Sequence, residues 1–340
     1  MFGLGWLRAL TDARGLLEHA HHGVPRLGEG YTTDDNARAL LYLSLLPEGA
    51  RDEGLVRTYL AFLLHMQKED GRFRNGLTLD GRFEDEGEAE DPTGRAVLAL
   101  AAAQRLPPPY AGPAREALLR ALPALEGFTS VRGRAYALLG LLALPKEPFL
   151  EAAEALGEGL LRAFREAEPA WPYPGPLTYA NHRPVEALYA YGLAFRRQEA
   201  VALARRALAF LKEHYFTPGE EGLFFDPVGN RFMARGRDKP LFDQQPIEAK
   251  CALLAHLRFG ERVLAEVAFL WFHGRNRLRA PLVDAFGPMD GLTPHGPNQN
   301  RGAEALLAYL LAWQALVQGV FPQVDEGVAL GRVFALGGRP

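Results

Sequence analysis

One pattern recurs six times along this chain of 340 residues, each time where a helix is predicted to begin. Each copy places polar or charged residues ahead of a run of small residues and leucine. The copies begin at Asp35, Thr93, Arg132, Arg183, Pro246 and Asn300. Amphipathic helices are predicted to follow the first five copies, near 54–68, 112–126, 148–166, 198–215 and 261–276. Such repeats cannot bury their apolar faces alone, so they must stack or close into a ring.

The sixth copy has no helix after it, and the other end of the chain supplies the missing partner. Residues 6–20 are predicted to be the twelfth helix and to pack beside 300–317. Twelve helices in six hairpins predict an all-α (α/α)6 barrel, a six-hairpin toroid in a single domain, with the Ala- and Leu-rich copies as its inner ring. The barrel is expected over 1–320, with a C-terminal tail over 321–340. In an open solenoid, the alternative, the sixth inner helix would lie unpaired.

Loop lengths predict which end of the barrel carries the functional site. The connections into the inner helices are mostly long, near 70–92, 167–182, 216–245 and 277–299, whereas the return connections are short. Long loops are commonly functional rather than structural. The site is therefore predicted at the mouth where the inner helices begin.

Composition and missing motifs exclude several classes of function. The chain is 48% hydrophobic with a net charge of −3, and it has neither a basic patch for nucleic acid nor an apolar run that would span a membrane. Its start lacks signal-peptide features, so a cytoplasmic location is expected. Because nucleotide-binding, serine-hydrolase and metal-ligand motifs are missing, we predict no cofactor and no metal. Arginine far outnumbers lysine and prolines crowd the loops, which favours a thermophilic source.

Four aspartates at the predicted mouth are catalytic candidates: Asp34, Asp35, Asp91 and Asp290. The first two fall in the first turn of an inner helix, where the helix dipole also favours acids, but two consecutive acids exceed what a cap requires. The Asp91 carboxylate is expected to face Asp35 across the barrel. Two carboxyls flanking a sugar are what glycosidic cleavage needs, one to protonate the leaving oxygen and the other to activate water or attack.

Aromatic and polar side chains crowd the loops before the inner helices. Flat rings stack on the C–H face of a sugar, while amides and charged groups bind its hydroxyls. The substrate-binding candidates are Tyr31, Trp171, Tyr179, Asn181, His182, Arg183, Asp243, Gln244, Gln245, Glu248, Trp271, Arg275, Asp284, His295, Asn298 and Asn300. Two structural alternatives stay open, because His182 could be a satisfied core residue and Asp284 or Asp290 could stabilise a turn.

Together these motifs resemble the six-hairpin glycosidase-like proteins of bacteria that are encoded with, or fused to, glycosyltransferases. The residues that carry the resemblance are GYTTDDNARA from Gly30, EDPTGRA from Glu90, LTYAN from Leu177, FDQQPIEA from Phe242, WFHGRN from Trp271 and DGLTP from Asp290. The likeness covers about 10–318 and implies an (α/α)6 barrel, a carbohydrate ligand and a glycosyltransferase partner. Relatives commonly carry acids where this chain has Pro174, Ala180 and Arg277.

Three functions from different classes follow as hypotheses. The first is a glycoside hydrolase or phosphorolytic relative in which Asp34, Asp35, Asp91 and Asp290 supply acid and base. The second is a sugar epimerase that exchanges a proton through His182 and His295. The third is a non-catalytic carbohydrate-binding partner of a glycosyltransferase.

For the hydrolase, carboxyls that approach across an open mouth leave room for a water, which favours inversion. Asp35 or Asp91 is then the base and Asp290 the acid. Burial among Trp271, Phe286 and Met289 is expected to raise the pKa of Asp290.

Overall fold

The computed structural model describes residues 3–84, 90–144 and 146–320, so the predicted tail over 321–340 lies outside the described residues. Within them, twelve α-helices follow one another: α1 (Leu4–Ala9), α2 (Thr33–Leu45), α3 (Glu53–Met66), α4 (Glu90–Ala102), α5 (Pro108–Leu125), α6 (Val131–Leu141), α7 (Phe149–Arg165), α8 (His182–Ala194), α9 (Gln198–Tyr215), α10 (Pro246–Arg258), α11 (Arg262–Leu270) and α12 (Ala303–Gln318).

The inner ring consists of the six even-numbered helices. Each contacts the next in chain order, and α12 contacts α2, which closes the ring. The outer helices α3, α5, α7, α9 and α11 pack on the inner helices that precede them, and α1 packs on α12. Because the inner helices are apolar on nearly every face, they are buried on nearly every face. The predicted (α/α)6 barrel is confirmed.

Closure at the chain start also follows the prediction. The Trp6 ring lies 6.5 Å from the ring of Tyr309 in α12, measured between centroids. Further along, the amide of Ala303 donates to the carbonyl of Glu18 over 2.9 Å. The N-terminal segment therefore packs against the first turn and the middle of α12.

The predicted helix over 6–20, however, is wrong beyond its first turns, because α1 ends at Ala9. Asp12 explains the break, since its Oδ1 accepts the amides of Arg14 at 2.8 Å and Gly15 at 3.2 Å. Such local side-chain bonds compete with the helical ladder. Residues 10–32 instead run across the mouth of the barrel. Similarly, α11 ends at Leu270 instead of the predicted 276.

Eleven short strands are described, all in the connections that lead into inner helices. They are β1 (Ala20–His21), β2 (Val24–Pro25), β3 (Tyr31–Thr32), β4 (Gly76–Leu77), β5 (Phe83–Glu84), β6 (Phe216–Gly219), β7 (Gly222–Phe225), β8 (Val283–Asp284), β9 (Gly287–Pro288), β10 (Gly291–Thr293) and β11 (Gly296–Asn298). All pairs are antiparallel, and β3, β4 and β5 form one sheet. The long connections therefore build the mouth, at the end where the sequence predicts the site.

The inner ring is tight enough to require glycine where α4 crosses α6. A Cβ added at Gly94 would lie 2.5 Å from the carbonyl oxygen of Gly133. We expect Gly94→Ala to lower the free energy of unfolding by roughly 1–3 kcal/mol, because two backbones must separate. Gly5→Ala is the control, since its added Cβ meets nothing within 4 Å. Urea unfolding measures both variants, and equal stability of the two would contradict this tight crossing.

Candidate active site

A polar cleft of about 490 Å³ opens at the mouth, where α2 and α12 begin side by side. Its walls come from the N-terminal segment, the β10–β11 hairpin and the first turns of these two helices. The lining residues are Glu18, His19, Arg26, Glu29, Thr32, Asp34, Asp35, Arg38, Asn75, Gln245, Asp290, Asn298, Asn300, Gly302, Glu304 and Ala305. Six of them carry carboxyl groups, and none of these described lining residues is Phe, Tyr or Trp.

Asp35 lies buried in the cleft wall and uses both carboxylate oxygens. Thr32, the N-cap of α2, accepts from the Asp35 amide at 3.2 Å and donates to Asp35 Oδ2 at 2.9 Å. Arg38 Nη1 donates to Asp35 Oδ1 over 2.5 Å. Burial raises the pKa of Asp35, while the charge of Arg38 opposes that rise. The sequence dictates this arrangement, because residues three apart share one face of a helix.

Ion pairs tie three inner helices together beneath the cleft. Asp34 of α2 pairs with Arg95 of α4, and its carboxylate also lies 3.8 Å from Arg38. Arg38 reaches α12 as well, where its Nη2 donates to Glu304 Oε2 over 3.0 Å. These pairs fix where the carboxyl groups of the cleft can lie.

Two further carboxyls in the cleft are suited to proton transfer. Burial raises the pKa of Glu18 to about 7, with repulsion from Asp35 as the second cause. His19 lies beside it, with Nε2 3.5 Å from Glu18 Oε1. Asp290 accepts the Gly302 amide at Oδ1 over 2.6 Å, and burial raises the pKa of this carboxyl too. The carboxyls of Glu18 and Asp290 therefore stay protonated up to a higher pH than freely exposed carboxyls do.

Sequence reasoning missed Glu18, His19, Asn75 and Glu304. The predicted outer helix over 6–20 includes Glu18 and His19, and in such a helix they would have no access to the mouth. Gly15 inside this segment and Gly23 and Pro25 just after it are typical of loops. They could have indicated that Glu18 and His19 lie in a loop.

Of the predicted site residues, six are brought together in this cleft: Asp34, Asp35, Gln245, Asp290, Asn298 and Asn300. They come from positions far apart in the sequence and meet because α2, α10 and α12 begin at the same end of the barrel. The cause expected for the raised pKa of Asp290 needs one correction. Phe286 is 77% exposed, so it does not bury the carboxyl. Burial still raises the pKa of Asp290, and the hydrogen bond from the Gly302 amide opposes that rise.

Asp91 does not line the cleft, contrary to the expectation that it faces Asp35. Its Oδ1 accepts from Ser130 Oγ at 2.8 Å, and its Oδ2 accepts from Arg132 Nε at 3.1 Å and Tyr179 Oη at 2.7 Å. The Arg132 guanidinium lies 4.1 Å from the centroid of the Tyr179 ring. Asp91 and Tyr179 therefore belong to a separate cluster, where α4 and α6 begin.

Several predicted sugar-binding side chains are buried structural residues. Trp171 donates to the carbonyl of Gly175 over 2.8 Å, and Trp271 donates to Gln244 Oε1 over 2.9 Å. The Tyr31 hydroxyl likewise donates to Asp12 Oδ2, outside the cleft lining, over 2.5 Å. Large rings near a mouth look alike in sequence whether they stack on sugar or cover the core.

Other predicted site residues also have partners outside the cleft. Asn181 donates to Tyr215 Oη at 2.8 Å, Arg183 pairs with Glu186 at 2.6 Å, and Glu248 accepts the Ala180 amide. Burial raises the pKa of Glu248 to about 7. Toward the surface, Arg275 donates to the Glu221 carbonyl at 2.8 Å, Asp284 pairs with Arg301 at 2.8 Å, and Asp243 is exposed.

The two histidines proposed for an epimerase do not form a pair. His182 is fully buried, with its ring centroid 4.8 Å from that of Tyr215 and 5.7 Å from that of His256. Burial holds the pKa of His182 well below its usual value. His295 is exposed at the tip of the β10–β11 hairpin. One buried ring and one exposed ring cannot exchange a proton with the same sugar carbon.

In residues 3–84, 90–144 and 146–320, no group of three or more His, Cys, Asp or Glu residues could hold a metal ion. None of the twelve described helices is long and apolar enough to cross a membrane.

Comparisons with known proteins support the fold. No protein-family model matches the sequence, and no curated protein does. Among solved structures, a D-mannose isomerase aligns with a TM-score of 0.66 at 10% identity, covering 93% of this chain and 95% of that one. A cellobiose 2-epimerase from Bacillus thermoamylovorans gives 0.67 at 8% identity, covering 91% and 95%. A GH76 alpha-mannanase from Bacteroides thetaiotaomicron gives 0.60 at 10%, covering 98% and 95%. At such identities the likeness shows a shared six-hairpin barrel.

Proposed function

We propose that this chain is a carbohydrate-processing enzyme that binds an oligosaccharide in the α2–α12 cleft and hydrolyses a glycosidic bond. One observation carries the proposal: Glu18, Asp35 and Asp290, three carboxyls with a raised pKa, line one cleft beside amide side chains. Glycosidic cleavage uses a carboxyl that holds its proton near neutrality, as Glu18 does, together with a second carboxylate nearby. The mannanase and sugar isomerases that share the barrel act on carbohydrates by their names, which supports the same ligand class.

Glu18 is the proposed general acid. Its pKa of about 7 leaves the carboxyl protonated in roughly half of the molecules at neutral pH, so it can donate to the leaving oxygen. Asp35 supports this role, because its negative charge is a cause of the raised pKa of Glu18. Both oxygens of Asp35 are already engaged by Thr32 and Arg38. Asp35 is therefore a positioning residue here instead of the base that the sequence suggested.

Asp290 is the proposed base that activates a water. The Gly302 amide orients Oδ1, whereas Oδ2 makes no hydrogen bond with the described residues. A free oxygen on an oriented carboxylate can accept a proton from water as it attacks. Asp290 is thus proposed as the base instead of the acid predicted from the sequence, and inversion stays the proposed outcome.

Sugar recognition in this cleft is proposed to be polar. Asn75, Gln245, Asn298 and Asn300 present amide donors and acceptors, and the described lining has no Phe, Tyr or Trp ring for stacking. Each amide can both donate to and accept from sugar hydroxyls.

The other two functions suggested by the sequence give different outcomes in the same assays. A sugar epimerase that uses two histidines would need a second histidine near His19. Among the described lining residues of the cleft, His19 is the one histidine. A carbohydrate-binding partner of a glycosyltransferase would bind oligosaccharide and release no product.

The test compares Asp290→Asn with Asp91→Asn on a panel of oligosaccharides. Both variants remove one aspartate charge at the mouth, but only Asp290 lines the cleft. We expect Asp290→Asn to lower turnover by roughly 10²–10⁴-fold and Asp91→Asn to stay near wild type. NMR of the first-formed anomer should show inverted configuration. Full activity of Asp290→Asn, or equal losses in both, would overturn the assignment, and binding without product would favour the non-catalytic alternative.

A further inference from the structure

A second, smaller cavity lies on the barrel axis, with a volume of about 30 Å³. Four cations line it, each from a different inner helix: Arg38 from α2, Arg95 from α4, Arg183 from α8 and Lys250 from α10. All four are buried, with exposed fractions of 6%, 4%, 4% and 2% respectively. Tyr136 from α6 and several leucines complete the wall. Buried cations so close together need negative charge nearby.

The described carboxylates balance three of these cations. Arg38 has Asp35 and Glu304, and Arg95 has Asp34. Arg183 pairs with Glu186, although that carboxylate is shared with another arginine of α10.

Lys250 is the cation left over. It has no carboxylate partner in the parts of the chain that the structure describes. Burial, together with repulsion from Arg183, Arg38 and Arg95, lowers the pKa of Lys250 to about 8. Among the described residues, one positive charge on the axis is therefore uncompensated.

Hydrogen-bond donors are left over in the same place. The buried Nε atoms of Arg38, Arg95 and Arg183 have no acceptor among the described residues. An unpartnered buried donor is unfavourable, and more so when it is charged. A bound anion would compensate the excess positive charge and would also accept hydrogen bonds from the unpartnered donors.

We propose that this axial cavity binds a small inorganic anion of the halide class, chloride under ordinary conditions, beside Lys250. The size of the cavity limits the choice, because about 30 Å³ accommodates only one or two water-sized species and excludes a sugar or phosphate ester. Its leucine walls favour a weakly hydrated monovalent ion over sulfate or phosphate, which remain in water. The site is separate from the proposed hydrolysis, although Arg38 borders both cavities.

The first test compares thermal unfolding of the full chain in sodium bromide and in sodium methanesulfonate at equal ionic strength. Bromide fits the cavity and methanesulfonate does not. We expect the Tm of the wild type to be roughly 2–4 °C higher in bromide, because a ligand that binds only the folded state stabilises it. Lys250→Met should abolish this difference. Lys212→Met is the matched control and should keep it, since Lys212 pairs with Glu261 outside the cavity.

A wild-type Tm that is the same in both salts would overturn the proposal, as would an equal bromide effect in Lys250→Met. Crystals of the wild type soaked in bromide give a readout that does not depend on folding of the variant. An anomalous peak beside the Lys250 ammonium supports the site. Bromide peaks confined to the protein surface would refute it.

Discussion

Replacing Glu18 with glutamine is expected to lower kcat by roughly 10²–10⁴-fold, the usual contribution of a positioned proton donor. The pH profile should change as well. In the wild type, kcat should fall as the pH rises through about 7, because Glu18 then loses the proton that it donates. Glutamine has no proton to lose in this range, so the residual activity of Glu18→Gln should lack this alkaline decline. Steady-state kinetics between pH 5 and 9 measure both effects.

The control for this experiment is Glu199→Gln, which removes a carboxylate paired with Arg165 on the outer ring. Its kcat and pH profile should match the wild type. If Glu18→Gln keeps the same alkaline limb as the wild type, another group is the acid.

Arg38→Met should lower the free energy of unfolding by about 3–5 kcal/mol, because removing one partner of a buried ion pair leaves the other charge uncompensated. Arg38 bonds to Asp35 and Glu304, and both it and Asp35 are buried. The loss should be smaller at pH 5 than at pH 8, because Asp35 can then take up a proton. Chemical unfolding at the two pH values measures this difference.

A second substitution separates the charge effect from lost packing. Adding Asp35→Asn to Arg38→Met should recover part of the stability, since the stranded carboxylate is gone. Arg165→Met, which breaks an exposed pair with Glu199, should change stability little. A double variant as unstable as the sum of its two single variants would show that the pair is not coupled.

The barrel was predictable because its signal is repeated. Six copies of one helix-start pattern predict the fold better than any one segment of the sequence does. The inner helices are apolar on nearly every face and the outer helices on one face, as their places in the ring require. The N-terminal segment was harder, since residues 6–20 are apolar enough for an outer helix. A single side chain, Asp12, decides against it by bonding to the next turn.

The candidate site was predictable to the extent that it follows from the ring. Asp35, Asp290 and Asn300 meet because inner helices begin at one end of the barrel. Which face a loop side chain takes was not predictable. Trp171 and His182 have the residue types of a sugar site, but tertiary packing buries them among other rings.

Sugar binding in the α2–α12 cleft can be observed in a crystal structure of Asp290→Asn soaked with an oligosaccharide that the wild type turns over. The slowed variant should trap the substrate. We expect a sugar ring within hydrogen-bond distance of both Glu18 and residue 290, with amide contacts from Asn75 or Asn300. A sugar bound instead in the cluster around Asp91 and Tyr179, or outside the mouth, would contradict it.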